Sequence, residues 1–260
     1  MSPATLRGRC IAVTRPEAQS EALAAGIEAR GGIALRFPLI IIEAIDDSDE
    51  IRAVRATLAE YDIAFFVSPN AVEHGLAVLG GRVGWPAWLR VAGVGQGTRA
   101  ALERQGFESV IAPETGADSE AVLALPEFSP AALAGRGLLI VRGDGGRDLL
   151  GREAARRGAR VRHVSCYRRR PPPGDARVLL DAAREGRLAA LVVTSSEALD
   201  NLGVLAGESG LEVLRSLPVF APHPRIAERA AALGFETIVT TGAGDSGIMA
   251  GLDAHFERVG

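Results

Sequence analysis

The chain has 260 residues, 47% hydrophobic and 23% charged, with a formal net charge of −3, the balance of an ordinary globular protein large enough for two α/β domains. No apolar run reaches the roughly 18 to 20 residues of a membrane span, and the acidic balance argues against a nucleic-acid binder. All 29 basic residues are arginines; coding bias explains the missing lysine as well as selection does, and either way Schiff-base chemistry and a P-loop lysine are excluded.

In chain order, the N-terminal MSPATLRGRC leads into a strand-like CIAVT without a signal-peptide pattern, and Cys10 and Cys166 have no CxxC partner. Both features point to a reducing cytoplasm. A helical pattern then ends at a glycine in EARGG (28–32). The run IALRFPLIIIEAI (33–45) is about twice the usual strand length of ~5–6 residues. It reads either as a strand that leaves its sheet to become a connector or as a strand broken at Pro38. Asp46, Asp47, Asp49 and Glu50 follow as the acidic first turn of a helix. The runs IAFFV and LRVAGV are two further strands, each opening into a helical pattern, and ADSEAVLAL (117–125) starts another helix.

The order then repeats. Shifted by about 127 residues, LRGRCIAVTRPEAQSEAL (6–23) lies over LAGRGLLIVRGDGGRDLL (133–150), and YDIAFFVSPNAV (61–72) lies over LAALVVTSSEAL (188–199). One residue out of step, the segment 89–111 covers 217–239, matching Gly106-Phe107 to Gly234-Phe235. The period is too long for a solenoid. It predicts two copies of one domain. Short apolar runs alternating with helices of about a dozen residues predict an α/β fold with two similar doubly wound parallel sheets. The partner of 33–45, ARVRHVSCYRRRP, is also long, so the two could form a two-stranded connector.

Ligands of open α/β sheets bind where strands end and helices begin. That rule selects Thr14 and Arg15, Ser68 and Asn70, Gly95, Gln96 and Thr98, Arg142 and Gly143, Thr194 and Ser195, and Pro222 and Arg225. Helix N-termini there favour an anion, although Ser68 and Ser195 are equally explained as N-caps. Six such loops predict a ligand with several negative groups, held between the domains. Gly93-Val94-Gly95-Gln96-Gly97-Thr98 lacks the third glycine of a dinucleotide fingerprint, and the GxGxxG at 242–247 stands too near the C-terminus for a βαβ unit. His74, His163, His223 and His255 show no metal-ligand spacing. No cofactor and no metal are therefore expected. Tyr167 stands beside Arg168, Arg169 and Arg170, cations that would stabilise its phenolate; a purely structural tyrosine fits the pattern as well.

The segments VTRP (13–16), FVSPNAV (66–72), VAGVGQGTRAAL (91–102), LLIVRGDGGRDLL (138–150), YRR (167–169), VVTSSEAL (192–199) and AERAAALGF (227–235) resemble uroporphyrinogen-III synthases in order and spacing. The resemblance implies a first domain of 1–37 plus 172–260, a second of 44–163, and connector strands at 38–43 and 164–171. It implies a cytoplasmic, monomeric, cofactor-free lyase that closes hydroxymethylbilane into a ring with inversion of the terminal pyrrole. Tyr167 would be the proton donor. The remaining loop residues, with Arg15, Arg142 or Arg225, would hold the substrate's carboxylates. One departure from the family pattern is Ile226, where a threonine is usual. The other class of reading is a hinge-linked two-domain binding protein for a small anion.

Overall fold

A computed structural model describes residues 4–146 and 148–259; Arg147 and the outermost ends of the first predicted domain (1–3 and 260) lie outside them. The first half runs β1 (Cys10–Val13), α1 (Glu21–Glu28), β2 (Ile33–Arg36), β3 (Ile41–Ala44), α2 (Asp49–Ala56), β4 (Ile63–Phe66), α3 (Pro69–Leu79), β5 (Arg90–Gly93), α4 (Gln96–Arg104), β6 (Val110–Ile111) and α5 (Ser119–Leu123). The second half continues with α6 (Pro130–Leu133), β7 (Gly137–Gly143), α7 (Leu149–Arg156), β8 (Arg160–Arg170), α8 (Arg177–Arg184), β9 (Leu188–Val192), α9 (Ser196–Leu214), β10 (Val219–Ala221), α10 (Pro224–Ala232), β11 (Ile238–Thr240) and α11 (Gly244–Val259).

Two compact units result: unit 1 is 1–41 with 170–260, and unit 2 is 42–169. The sheet of unit 1 has the order β2-β1-β9-β10-β11, and that of unit 2 has β3-β8-β7-β4-β5-β6. Strands of the duplicated set run parallel to their neighbours in both. The repeat is visible in the register. Cys10 faces Ile33 and Gly137 faces Arg160, two pairs related by a shift of 127. Val91 faces Val110 and Val219 faces Ile238, related by 128. Each unit joins the first two strands of one copy to the last three of the other.

Unit 2 shows why its strands read as continuous apolar runs. Ala64, Phe66, Leu139 and Val141 pack with α2, α3 and α4 on one face of the sheet. Ile63, Phe65, Leu138 and Ile140 pack with α5, α6 and α7 on the other. Burial on both sides removes the polar alternation of a half-exposed strand. In unit 1, β1, β9 and β10 bury Ile11, Val13, Ala190, Val192 and Phe220 against Leu23 and Ile27 of α1 and Ile248 and Leu252 of α11. Helices α8, α9 and α10 bury Leu179, Leu199, Leu202, Ile226 and Ala230.

The run 33–45 is two strands, not one. Phe37 N–H donates to Val13 O (3.0 Å) and Leu39 N–H to Thr14 O (3.1 Å), which holds 37–39 to unit 1. Pro38 between them has no N–H to offer a ladder. After the break, β3 joins the sheet of unit 2 beside β8. Its repeat partner β8 is unbroken over 11 residues.

A tyrosine cavity at the strand ends of unit 2

Strands β7 and β8 stay in register from Gly137 to Arg142, which faces Ser165; the next pair is Gly143 with Tyr167. Cys166 is the extra residue of a bulge, a device that re-aims the following side chain. Simple alternation would put Tyr167 on the face opposite Val164 and Cys166. The bulge returns it to theirs, within the cluster formed with α2, α3 and α4. The phenol is 1% exposed. Its hydroxyl lies 3.1 Å from Ser68 Oγ, and its ring is 5.8 Å from that of His74 on α3. Arg169 places its guanidinium carbon 5.9 Å from the ring centre, within reach of a cation–π attraction. Gly143 forms the floor: a Cβ there would stand 2.7 Å from Cε2 and Cζ of the phenol.

Tyr167 is in the wall of a cavity of about 630 Å³ at the C-terminal ends of β4, β5 and β7. The walls include Phe65, Val67, Val94, Arg142, Gly143, Asp144, Gly145, Gly146, Asp148, Arg152 and Arg169, with Ala117, Asp118 and Ser119 at the start of α5. Ser68, Arg142, Gly143 and Tyr167 are thus brought together. Apart from Arg169, noted as a neighbour of Tyr167, the other lining residues were not among the site residues predicted from the sequence. Asp118 and Ser119 read there as an ordinary helix start, and Asp118 does cap α5 by accepting from Ala121 N–H (2.8 Å). The one usable signal was their place in the repeat.

The remaining predicted residues have identifiable jobs inside their own units. In unit 2, Ser68 Oγ accepts from Ala71 N–H (3.1 Å), so the capping role holds and the phenol contact is added to it. Asn70 is half-buried in the first turn of α3. The exposed Gln96 donates to Pro113 O (2.8 Å), and Gly95 packs on Gly116 and Ala117. Thr98 is 2% exposed, its methyl against Gly93. Arg142 spends its guanidinium on Gly143 O, Gly145 O and Gly146 O, shaping the loop that it starts.

In unit 1, Thr14 is buried and donates to Val192 O (2.8 Å), and Arg15 is ion-paired with Asp245. Half-buried Thr194 precedes Ser195, which caps α9 by accepting from Ala198 N–H (3.1 Å). Pro222 is half-buried; beyond it His223 Nδ1 accepts from Arg225 N–H (3.1 Å). Arg225 is exposed. Ile226, one repeat away from Thr98, is 7% exposed, so the missing hydroxyl falls at an inward-facing position and the isoleucine joins the core. The acidic turn after β3 is a helix start: Ser48 caps α2, and Arg52 pairs with Asp47 and Asp49.

Among the described residues no group of three His, Cys, Asp or Glu side chains could hold a metal, and no helix is long and apolar enough to cross a membrane.

The family profile described as "Uroporphyrinogen-III synthase HemD" matches residues 21–247. The chain is 35% identical over 231 residues to the uroporphyrinogen-III synthase of Salmonella typhimurium, covering 88% of this chain and 93% of that one. It is 30% identical to the Escherichia coli protein of that name at the same coverage. A crystal structure of a mutant uroporphyrinogen III synthase from Thermus thermophilus superposes with a TM-score of 0.61 at 19% identity, covering 96% of this chain and 99% of the other. That from Helicobacter pylori superposes at 0.58 and 12% identity, with 98% and 99% covered. These two establish the shared fold.

Proposed function

The chain belongs to the uroporphyrinogen-III synthase family, and we propose that it closes hydroxymethylbilane to uroporphyrinogen III beside Tyr167. Its activity is that of a cyclising lyase of tetrapyrrole biosynthesis, which sets aside a hinge-linked binding protein. Hydroxymethylbilane is a linear tetrapyrrole with eight carboxylates. The hydroxyl of its hydroxymethyl group leaves as water once protonated, and the CH2 carbon that stays becomes part of an azafulvenium cation. The terminal pyrrole then attacks through its substituted carbon, giving a spiro-intermediate that reopens and recloses with that ring inverted. Unassisted closure gives the uninverted isomer, so the protein must chiefly impose orientation, an effect worth several kcal/mol.

The observation that carries this reading is the phenol of Tyr167, buried on a bulge, bonded to Ser68 and set in the wall of a cavity at the strand ends where such sheets bind ligands. In that position it donates a proton to the departing hydroxyl. Ser68, itself fixed by the start of α3, keeps the phenol oriented. Acetates and propionates are held by loop N–H groups at the strand ends and by Arg225, while Arg15 and Arg142 shape their loops. The scheme needs an acid and a conformational restraint and calls on no cofactor. We take the protein to act as a cytoplasmic monomer, where its free buried Cys10 and Cys166 stay reduced.

The test is purified protein with hydroxymethylbilane and no added metal or nucleotide, the products resolved by chromatography. The type III isomer is expected; type I alone overturns the reading. Tyr167→Phe is expected to lower kcat roughly 100-fold with little change in KM. Unchanged turnover would remove the phenol from the mechanism.

A further inference from the structure

Asp148 and His163 form a pair that the scheme above does not use. Asp148 lies in the wall of the unit 2 cavity, and its Oδ1 is 2.9 Å from His163 Nε2 on β8. It occupies the N-cap position of α7, where aspartate ordinarily accepts from a helix N–H, but makes no such bond. The carboxylate turns instead to the imidazole, and Oδ2 has no partner among the described residues. The pair fits only because residue 151 is glycine. A Cβ there would overlap Asp148 Oδ1 and stand 2.8 Å from His163 Nε2.

The internal repeat supplies a control. The shift of 127 that relates the two copies places Glu21 at Asp148, Arg36 at His163 and Ala24 at Gly151. Glu21 and Arg36 are also bonded, Nη1 to Oε2 at 2.7 Å, so tying a helix to its strand is a job that both copies share. Unit 2 departs from it in three ways: a shorter carboxylate, an imidazole for a guanidinium, and a glycine for an alanine. The Glu21 side chain is 75% exposed and that of Asp148 34%, so the carboxylate of unit 2 is drawn inward. Arginine keeps its proton permanently, whereas imidazole is the side chain suited to take up and release one near neutral pH. A permanent cation has been replaced by an imidazole behind the carboxylate that lines the cavity.

We propose that Asp148, positioned by His163, is the base that completes ring closure; this rests on hydroxymethylbilane occupying the cavity. When the terminal ring recloses, the carbon that has formed the new C–C bond still carries its hydrogen. Asp148 Oδ2 takes that proton: an O–H bond forms, the C–H bond breaks, and its electron pair returns to the ring and restores the aromatic pyrrole. The step needs no oxidant or reductant. His163 holds the other carboxylate oxygen, where a permanent cation would weaken the base, and Oδ2 gives its proton to solvent once the product leaves. The charge also has the right sign for the intermediate. A carboxylate repels an octa-anionic substrate but attracts the azafulvenium cation, so it stabilises the reacting state more than the bound one.

The experiment measures kcat, KM, product isomer and Tm of the full chain for the wild type, Asp148→Asn and His163→Arg. Asp148→Asn should lower kcat roughly 10- to 100-fold with KM unchanged or lower, because a repulsive charge is gone. His163→Arg recreates the pair of unit 1. It should keep Tm near that of the wild type and still lower kcat about 10-fold or more. Wild-type kcat in His163→Arg makes the pair a helix pin and overturns the proposal, and this decides the matter even if Asp148→Asn fails to fold. A wild type yielding only the type I isomer defeats the underlying reading instead, a result distinct from any rate effect of the variants.

Discussion

Gly143→Ala tests how tightly the phenol is placed. The added Cβ would meet Cε2 and Cζ of Tyr167 at 2.7 Å and its hydroxyl at 3.1 Å. Carbon atoms settle at about 3.5–4.0 Å, so the ring must recede by roughly 1 Å. It cannot do so freely, because Tyr167 is packed with the Cys166 and α3 side of the core. Overpacking of this kind costs about 1–3 kcal/mol. The 3.1 Å contact with Ser68 stretches beyond hydrogen-bond reach and loses about 1 kcal/mol more. The combined effect should lower Tm by roughly 10 °C. Turnover should suffer more, because an error of about 1 Å in a reacting group can cost 100-fold. Thermal unfolding and the isomer-resolved assay read the two effects separately. In a Tyr167→Ala background the stability cost of Gly143→Ala should largely vanish, since the clash has no partner. Gly143→Ala with wild-type Tm and kcat, or an equal cost in both backgrounds, refutes the argument that this glycine exists to seat the phenol.

Two further predictions concern charge and reactivity. Hydrogen bonds from Arg156, then Arg157, hold the Glu153 carboxyl down at about 2 from its ordinary 4.5. A depressed carboxylate stabilises the fold above its unfolded value and loses that contribution as pH falls through the folded one. Glu153→Gln should therefore lower Tm at pH 7, with the gap from wild type closing between pH 4.5 and 2; a gap independent of pH contradicts it. Burial pushes the Cys166 thiol up to about 12, and burial likewise raises that of Cys10 against the pull of Arg187. Iodoacetamide at neutral pH should leave both unlabelled until the chain unfolds, as read by mass spectrometry; rapid labelling of the native protein contradicts it.

Much of the site was legible because its signals are local. Ser68 opens a helix after an apolar run, and Arg142-Gly143 ends a strand, so the strand-end rule reaches both without tertiary information. Tyr167 was singled out by its arginine neighbours and the family resemblance. Its true setting depends on the bulge at Cys166 and on Gly143 across the ladder, which no window of sequence displays. Thr14 and Arg15 show the converse. Their type and spacing suit an anion, yet the hydroxyl bonds Val192 O and the guanidinium pairs with Asp245, partners 178 and 230 residues away. The long run at 33–45 needed the structure for a related reason. Pro38 can interrupt a ladder or sit at a strand edge, and the bonds of Phe37 and Leu39 to unit 1 decide for a break.

The sequence by itself determined the duplication and the alternation of buried strands with helices, because strand and helix lengths recur at the same spacing in both copies. That same recurrence is why the repeat alone could not choose partners. The equivalents β1 and β7 carry matching patterns, as do β4 and β9, so β1 could pair with either of the latter at the same register and with the same apolar faces. The family resemblance implied the exchange, and the tertiary structure makes it strand by strand, joining β1 and β2 to β9, β10 and β11, and β7 and β8 to β4, β5 and β6. The chain crosses between the units where β2 gives way to β3 and again at the end of β8, and pairing across the copies is what this route allows.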